Sequence, residues 1–371
     1  MTQVIYSKGR RLRRKPIAAA AIAAIAVLFL SSILTAQSRT VYAAVAPTNP
    51  AKSGMFNSPG NVLITDQFNN RVVEIDPATK QIVWSFGSGN STLCNPGPGA
   101  IIGSNDAERI GDGLTLMAGT GIPPGVNGTA PCVDNRVIVV NQAGDIVWQY
   151  GQAGKTGSGF DLLNVPVFAI QLPNHDIMIT DQGNNRVIEV NSTKHIVWEY
   201  GPKRGPGALN NPNSAELLAN GHVLIADENN NRVIEITKAG QIVWSYSKDI
   251  SAAAFASRLP NGDTLITDSG HSRIVEINTS KHVVFQVFTN KSAGSNPNPL
   301  PTNAVRTVTG NTVISDQNND RVLVVNSQKH LVFQYGMTNI AGNGPNQLFG
   351  PYTAYIVGDY TGQTPPPAHF N

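Results

Sequence analysis

Short apolar runs separated by polar turns recur along almost the whole chain. After residue 36 no segment keeps a 3.6-residue apolar period, so we expect essentially no helix there. The runs are rich in Val, Ile, Trp and Tyr, residues that favour β-strands. Within one unit the order is constant: an apolar run, a polar turn, a second apolar run, a short turn and an aromatic-bearing run. Each unit therefore predicts at least three strands.

This unit occurs six times in the sequence, once in an interrupted form. The five intact copies begin at Asn61, Asp176, His222, Asp263 and Asn311. The interrupted copy consists of GLTLMAGTG from Gly113 and NRVIVVNQAGDIVWQYG from Asn135. One more strand precedes most copies, so each unit holds four strands in roughly 40 to 50 residues, as a propeller blade does. We therefore predict an all-β fold, a six-bladed β-propeller of four-stranded blades.

A recurrent alanine supports this count and suggests how the ring closes. It stands 17 residues before the turn arginine in four copies, at Ala169, Ala215, Ala256 and Ala304, and we place it on the innermost strand. The C-terminal segment carries Ala354 in the same context, with no further strands after it. We expect this segment to supply the inner strand of the first blade and to close the ring, which removes an exposed sheet edge. Residues 47–60 are the alternative, because Gly54 also lies 17 residues before Arg71.

The N-terminus has the pattern of a targeting segment. Six basic residues precede an uncharged apolar run from Ile17 to Leu34, which predicts an apolar helix acting as a signal peptide or a signal anchor. We divide the chain into a signal peptide or anchor plus linker (1–46), the propeller (47–360) and a Pro-rich tail (361–371). The protein should be extracytoplasmic, either secreted or anchored to the cell membrane.

Charge and cysteine content narrow the function classes. Without residues 1–36 the chain holds 21 basic and 24 acidic residues, so it lacks the positive charge that nucleic-acid binding needs. We expect Cys94 and Cys132 to form a disulfide, because an exported chain meets an oxidising compartment. The alternative is two free thiols. Two cysteines without nearby histidines do not make a zinc site, and we expect no metal and no cofactor.

A turn motif, D-x-x-[NGS]-[NS]-R, follows the first apolar run of each intact copy. It occurs at Asp66–Arg71, Asp181–Arg186 and Asp268–Arg273, and in near form at Asp227–Arg232 and Asp316–Arg321. These carboxylates could be metal ligands or acids, but a catalytic residue should not be copied five times. We interpret them as structural, with Asp and Arg pinning neighbouring strands. These turns, the connections between blades, the insertion at 120–134 and both cysteines should share one face, called here the loop-rich face.

The sharpest candidate site is a set of arginines in the predicted channel. Arg109, Arg258 and Arg306 stand two residues after the marker alanine, and Gln171 is their equivalent in another blade. Pointing into the channel, they would suit a carboxylate, phosphate or sulfate. The alternative is that each pairs with an acid of a neighbouring blade, such as Glu108 or Glu216. His271, a histidine on the loop-rich face, is a further tentative ligand-binding residue, and we assign no catalytic residue.

At the level of single repeats the chain resembles NHL-type propellers, through LIADENNNRVIEI. RLPNGDTLITDSGHSRIVEI and GQIVWSY are also similar to blades of bacterial arylsulfotransferase-type and quinoprotein-type propellers. The channel histidines of the arylsulfotransferases and the zinc-binding histidines of amidating lyases have no counterpart, and the quinoprotein docking motif is only partly present, as DPATKQIVW. Because the repeats are intact and no catalytic constellation stands out, we expect a non-enzymatic binding or scaffolding propeller of this type. The alternative is a sulfotransferase-like enzyme, lyase or hydrolase with an anion-binding channel site. Expected partners are a small anionic ligand, a glycan or a protein, and the membrane if the N-terminal segment is uncleaved, but no nucleic acid.

Overall fold

The computed structural model describes residues 56–126 and 131–359, which form six four-stranded antiparallel sheets. This confirms the predicted all-β, six-bladed propeller of four-stranded blades. The predicted N-terminal helix, the Gly54 segment and the tail 361–371 lie outside the described residues. Within those residues no helix is long and apolar enough to cross a membrane.

Each blade runs from an inner strand at the channel to an outer strand at the rim, and strands are numbered in chain order. Blade 1 holds β1 (Val62–Asp66), β2 (Arg71–Ile75), β3 (Ile82–Gly87) and β24 (Pro351–Ile356). Blade 2 holds β4 (Ser104–Arg109), β5 (Thr115–Ile122), β6 (Cys132–Val140) and β7 (Ile146–Tyr150). Blade 3 holds β8 (Pro166–Gln171), β9 (Ile177–Asp181), β10 (Arg186–Val190) and β11 (Ile196–Tyr200).

The other three blades repeat this order. Blade 4 holds β12 (Pro212–Leu217), β13 (Val223–Asp227), β14 (Arg232–Ile236) and β15 (Ile242–Tyr246). Blade 5 holds β16 (Ala253–Arg258), β17 (Thr264–Asp268), β18 (Arg273–Ile277) and β19 (Val283–Phe288). Blade 6 holds β20 (Pro301–Arg306), β21 (Thr312–Asp316), β22 (Arg321–Val325) and β23 (Leu331–Tyr335). Single 3₁₀ turns follow the second strands of five blades, at Gln67–Asn69, Gln182–Asn184, Glu228–Asn230, Ser269–His271 and Gln317–Asn319.

The inner strand of blade 1 comes from the C-terminal end of the described chain. Strand β24 pairs antiparallel with β1, with Ala354 opposite Ile64. It also contacts the inner strands of blades 6 and 2. The C-terminal segment therefore occupies the slot for which the Gly54 segment was the alternative. How far this pairing holds the ring together stays a prediction, which a truncation can test.

The marker alanines lie on the inner strands and face the preceding blade. Ala107 packs with Leu63, Val72 and Trp84 of blade 1, and Ala169 packs with Val137 and Tyr150 of blade 2. Because side chains alternate across a strand, a residue two places after the alanine faces the same way. This alternation decides where the candidate arginines lie.

The turn motif is a structural clasp, as predicted. The Asp66 carboxylate accepts hydrogen bonds from Arg71 Nε at 2.7 Å, from Asn69 Nδ2 at 2.8 Å and from the backbone N–H of Phe349 at 2.7 Å. Asn70 has a left-handed backbone (φ 52°), and its side-chain oxygen accepts from the N–H of Gly103 in the connection to blade 2. The motif thus joins two strands, one connection and the next blade.

Blade 2 lacks the turn aspartate, and an inserted residue replaces it. Gly119 occupies the aspartate position opposite Arg136. The Asp134 carboxylate lies where a side chain at Gly119 would be, 2.8 Å from the position of its Cβ. It pairs with Arg136 and accepts a hydrogen bond from the N–H of Ile102 at 2.7 Å. The clasp is therefore conserved in blade 2 although its sequence motif is absent.

Candidate functional site

The three candidate arginines lie between blades, at the channel end opposite the loop-rich face. Arg109 pairs with Glu74 of blade 1, Arg258 with Glu235 of blade 4 at 2.9 Å, and Arg306 with Glu276 of blade 5 at 2.6 Å. Their guanidinium carbons lie 4.4, 4.9 and 5.0 Å from the ring centroids of Trp84, Trp244 and Phe285. The expectation that they point into the channel is therefore corrected, because the strand alternation directs them toward the preceding blade.

Five of the six contacts between neighbouring blades follow this pairing; the exception is Glu189 of blade 3, which is followed by Leu217 and pairs with Lys238 instead. Where the acid on the third strand is replaced by valine, the next blade carries an uncharged residue in place of arginine. Val139 in blade 2 is followed by Gln171, and Val324 in blade 6 is followed by Ile356. Gln171 thus takes the place of the arginine in blade 3, at a contact where blade 2 offers Val139 and no acid. We interpret the arginines as pins between blades, the alternative left open by the sequence, although the acids differ from Glu108 and Glu216.

His271 is the counterpart of the first turn asparagine in blade 5. Its Nδ1 lies 2.9 Å from Asp268 Oδ2, where Asn69 donates to Asp66 in blade 1. Asp268 also accepts from Arg273 Nε at 2.7 Å. His271 is thus part of a turn clasp, and the structure does not bring it together with the arginines.

The predicted Cys94–Cys132 disulfide is confirmed. It joins the connection before blade 2 to the start of β6, which together with β5 extends beyond the corresponding strands of the other blades. Close packing of Gly103 on Gly121 fixes the same extension, because a Cβ at Gly103 would meet the Gly121 carbonyl oxygen at 1.9 Å. Ile122 and Val126 pack with Ile102 beneath the extension. We call residues 119–126 and 131–135 the blade-2 extension.

The channel mouth on the loop-rich face is lined by polar side chains that differ from blade to blade. They come from the position after the turn aspartate and from the position two residues before the marker alanine. Hydrogen bonds link Gln317 to Gln67 at 2.6 Å, Gln67 to Asn105 at 2.8 Å, and Thr120 to Asn105 at 2.8 Å. On the other side of the mouth, Asn213 Nδ2 donates to Glu228 Oε2 at 2.8 Å, and Gln182 Nε2 donates to the same oxygen at 3.2 Å.

A tyrosine joins the two sides of the mouth. Tyr352 of blade 1 and Asn213 of blade 4 are three blades apart, and two hydrogen bonds of 2.8 and 3.1 Å connect the phenol to the amide. Below this bridge Phe168 and Phe255 meet edge to face at 5.6 Å. Asn213 is buried, whereas Gln182, Glu228 and Tyr352 are partly exposed. These three side chains are therefore the polar groups that a ligand entering the mouth could touch.

The carboxyls of the channel have raised pKa values. Burial raises the pKa of Glu228 to about 6, although the hydrogen bond from Asn213 opposes this. Deeper on β4, burial raises the pKa of Asp106 to about 7 and, together with the charges of Asp106 and Glu216, holds the pKa of Glu108 well above its usual range. The channel thus contains partly or fully buried carboxyl groups, in contrast to the cationic channel expected from the sequence.

Sequence reasoning missed this mouth. Its signal was the position after the turn aspartate, which reads Gln67, Gln182, Glu228, Ser269 and Gln317 while the aspartate itself does not change. Function should lie where equivalent residues differ.

In residues 56–126 and 131–359 no three His, Cys, Asp or Glu side chains are grouped so that they could hold a metal ion.

Several solved structures are similar to this chain. A protein of unknown function from Bacteroides caccae has a TM-score of 0.55 at 18% identity, over 76% of this chain and 97% of its own. The virginiamycin B lyase of Staphylococcus aureus has a TM-score of 0.48 at 15% identity, over 76% of this chain and 85% of its own. A streptogramin B lyase has a TM-score of 0.49 at 15% identity, over 77% and 82%. At 18% identity the likeness to the first of these structures shows the fold alone.

A family comparison goes further than the fold. No curated protein sequence matches the chain. The family model described as outer membrane protein assembly factor BamB matches residues 133–346, more than half of the sequence. The match covers five of the six blades in part or whole. The chain therefore belongs to the family described as outer membrane protein assembly factor BamB.

Proposed function

We propose that the protein is a non-enzymatic, extracytoplasmic binding or scaffolding propeller that contacts a partner protein with the blade-2 extension. The observation that carries this proposal is the rigid, uncharged surface at that place. No charged residue occurs from 88 to 105 or from 113 to 133. The centres of protein interfaces are depleted in charged residues in the same way.

Exposed apolar groups occur on both sides of the disulfide. Leu93 is 49% exposed and Val133 is 37% exposed, and Pro123, Pro124 and Pro131 are also exposed. The disulfide and the glycine contact order this surface before any partner binds, which lowers the entropic cost of association.

A groove adjoins the extension. It has a volume of about 490 Å³ and lies between Gly97–Gly99 and the outer strand of blade 2, with Arg136 and Gln149 in its lining. It offers polar contacts next to the apolar surface, the arrangement of an interface core with a polar rim.

The family and the disulfide are compatible with this assignment. The family description names an assembly factor, and a disulfide is usual in oxidising compartments. The resemblance to NHL-type repeats rests on the turn motif, whose hydrogen bonds hold the blades together. It therefore supports a scaffold function for the propeller. The N-terminal targeting segment and the three-part domain division remain part of this proposal.

Site-specific photocrosslinking in cells that make the protein tests this function. A crosslinker at Leu93 or Val133 should give one discrete adduct with a partner protein. The control position is Val284, which is 54% exposed on the outer strand of blade 5. Equal adducts from all three positions, or none from Leu93 and Val133, would contradict the proposed surface.

An enzyme with a channel site is the second candidate, and Glu228 is the observation that favours it. A carboxyl with a pKa of about 6 exchanges a proton close to neutral pH, as general acid–base catalysis requires. This candidate predicts turnover that Glu228→Gln abolishes and a pH–rate profile with an inflection near 6. A bound ligand that is recovered unchanged would favour the binding function instead.

A further inference from the structure

Glu228 differs from its equivalents in the other blades. The position after the turn aspartate carries an uncharged amide or hydroxyl in the other described turns, at Gln67, Gln182, Ser269 and Gln317. A carboxylate there is not needed for the clasp, because the hydrogen bonds of the clasp are made by Asp227, Asn230 and Arg232. The hydrogen bonds that hold the blade together therefore do not explain why a glutamate stands at position 228.

Among the described residues, no cation lies beside the charge of Glu228. It forms no ion pair with any of the residues that the structure describes, whereas the turn aspartate next to it pairs with Arg232 at 2.7 Å. Both of its hydrogen bonds reach Oε2, so Oε1 remains available to a ligand. A partly buried carboxylate without a counter-charge is costly, and a bound cation would remove that cost.

The surroundings of Glu228 also favour a positive ligand. The Gln182 amide nitrogen already donates to Glu228, which leaves its carbonyl oxygen as an acceptor. Tyr352 presents a partly exposed ring at the same mouth, and aromatic faces attract ammonium groups. At the far end of the channel the arginines are paired with glutamates, so their positive charges are already compensated.

We propose that the channel mouth binds an alkylammonium group, with Glu228 as its counter-ion, Gln182 as a hydrogen-bond acceptor and Tyr352 as its cation–π partner. This reverses the anionic ligand expected from the arginines. The site goes beyond the proposed function, because it does not involve the blade-2 extension. It can therefore fail while that function stands.

Isothermal titration with three probes of one size tests the charge preference. The purified protein should bind n-butylammonium and should bind n-butanol and butyrate at least tenfold more weakly. Binding of butyrate that equals or exceeds that of the ammonium ion would overturn the proposal. The absence of any measurable n-butylammonium binding would also overturn the proposal.

Variants locate the site. Glu228→Gln keeps an acceptor for Asn213 but removes the charge, and it should weaken n-butylammonium binding at least tenfold. The matched control is Asp112→Asn, which removes an exposed carboxylate from the loop after β4, at the opposite face. Unchanged binding in Glu228→Gln would overturn the assignment.

The wild-type protein alone gives a second test that does not depend on a variant folding. Protonation of Glu228 removes the counter-ion, so affinity for n-butylammonium should fall as the pH drops below about 6. Affinity that is constant between pH 5 and pH 8 would contradict the role of this carboxylate.

The same group could be presented by a free amine or by a lysine side chain of a partner. Nα-acetyl-lysine amide and its Nε-acetylated analogue distinguish these sources. Tighter binding of the lysine compound than of n-butylammonium assigns the site to a peptide ligand, and equal binding assigns it to a free amine. Equal binding of the Nε-acetylated analogue would overturn the proposal, because that compound has no charge on its side chain.

Discussion

The two ends of the channel hold opposite charges in opposite states. At the end away from the loop-rich face, Arg109, Arg258 and Arg306 are paired with glutamates of the preceding blade. At the mouth, Glu228 has amide partners but no cation among the described residues. A charge that is paired wherever it recurs stabilises the blades, whereas a charge that occurs once and lacks a counter-ion is available for a ligand.

Removing the strand that runs between both ends of the channel should have the largest effect. Strand β24 contributes Tyr352 to the mouth and pairs with β1 along blade 1. Ending the chain after Phe349 exposes the edge of β1, so we expect unfolding or aggregation. Ending it after Tyr360 should leave the melting temperature unchanged. A soluble, cooperatively melting protein that ends at Phe349 would show that another segment fills the slot.

Removing a paired charge should cost more than removing an unpaired one. Arg109 and Glu74 are fully buried, so Arg109→Gln leaves a buried carboxylate and should lower the free energy of unfolding by about 3 to 5 kcal/mol. Arg258→Gln should cost less, because that side chain is 19% exposed. Urea unfolding measures both.

A partner substitution checks the cause. Glu74→Gln in the Arg109→Gln background should recover part of the lost stability, because it removes the stranded charge. A loss below about 1 kcal/mol for Arg109→Gln alone would contradict the description of these arginines as pins.

The disulfide should contribute to stability on the loop-rich face. The bond closes a sequence separation of 38 residues, so replacing Cys94 and Cys132 together by Ser should lower the free energy of unfolding by about 4 kcal/mol. Reductant should lower the unfolding midpoint of the wild type and leave that of the double variant unchanged. Equal sensitivity of both proteins would show that the bond contributes little.

The buried carboxyl groups of the channel predict a pH dependence. Burial raises the pKa of Asp106 from 3.8 to about 7, so the folded protein keeps a proton that the unfolded chain releases. This stability is fully present below about pH 4 and is lost as the pH rises through 7. Between pH 6 and pH 8 the loss should be about 1 kcal/mol.

A substitution assigns this loss to its group. Asp106→Asn should flatten the unfolding free energy between pH 6 and pH 8, and Asp112→Asn should not. A wild type that becomes more stable over that interval would contradict the raised pKa values in the channel.

The repeat made most of the fold predictable. Strand order and blade number follow from alternating apolar runs and turn motifs, and the disulfide follows from two cysteines that share the predicted loop-rich face. The clasp of blade 2 was not predictable in the same way, because Asp134 replaces the missing aspartate from a different strand. When a residue from one strand takes over the contacts of a residue missing from another, the repeat alignment of the sequence does not show it.

The site was less predictable, for two physical reasons. The arginines share a register with the marker alanine, but only packing shows that this register faces the preceding blade. The mouth combines Gln182, Glu228 and Tyr352 from three blades, and more than 120 residues separate the last two. Uniqueness among the repeats was the one available signal, and it points to Glu228.

The most direct test of the central claim is the free energy of unfolding of Glu228→Gln against the wild type, measured in urea at pH 7.5 without ligand. The account predicts equal stability, or a gain of up to about 1 kcal/mol, because the substitution removes a partly buried charge that has no counter-ion. A loss of 2 kcal/mol or more would show that Glu228 stabilises the blades as the paired residues do, and would contradict the claim that its charge is kept for a ligand.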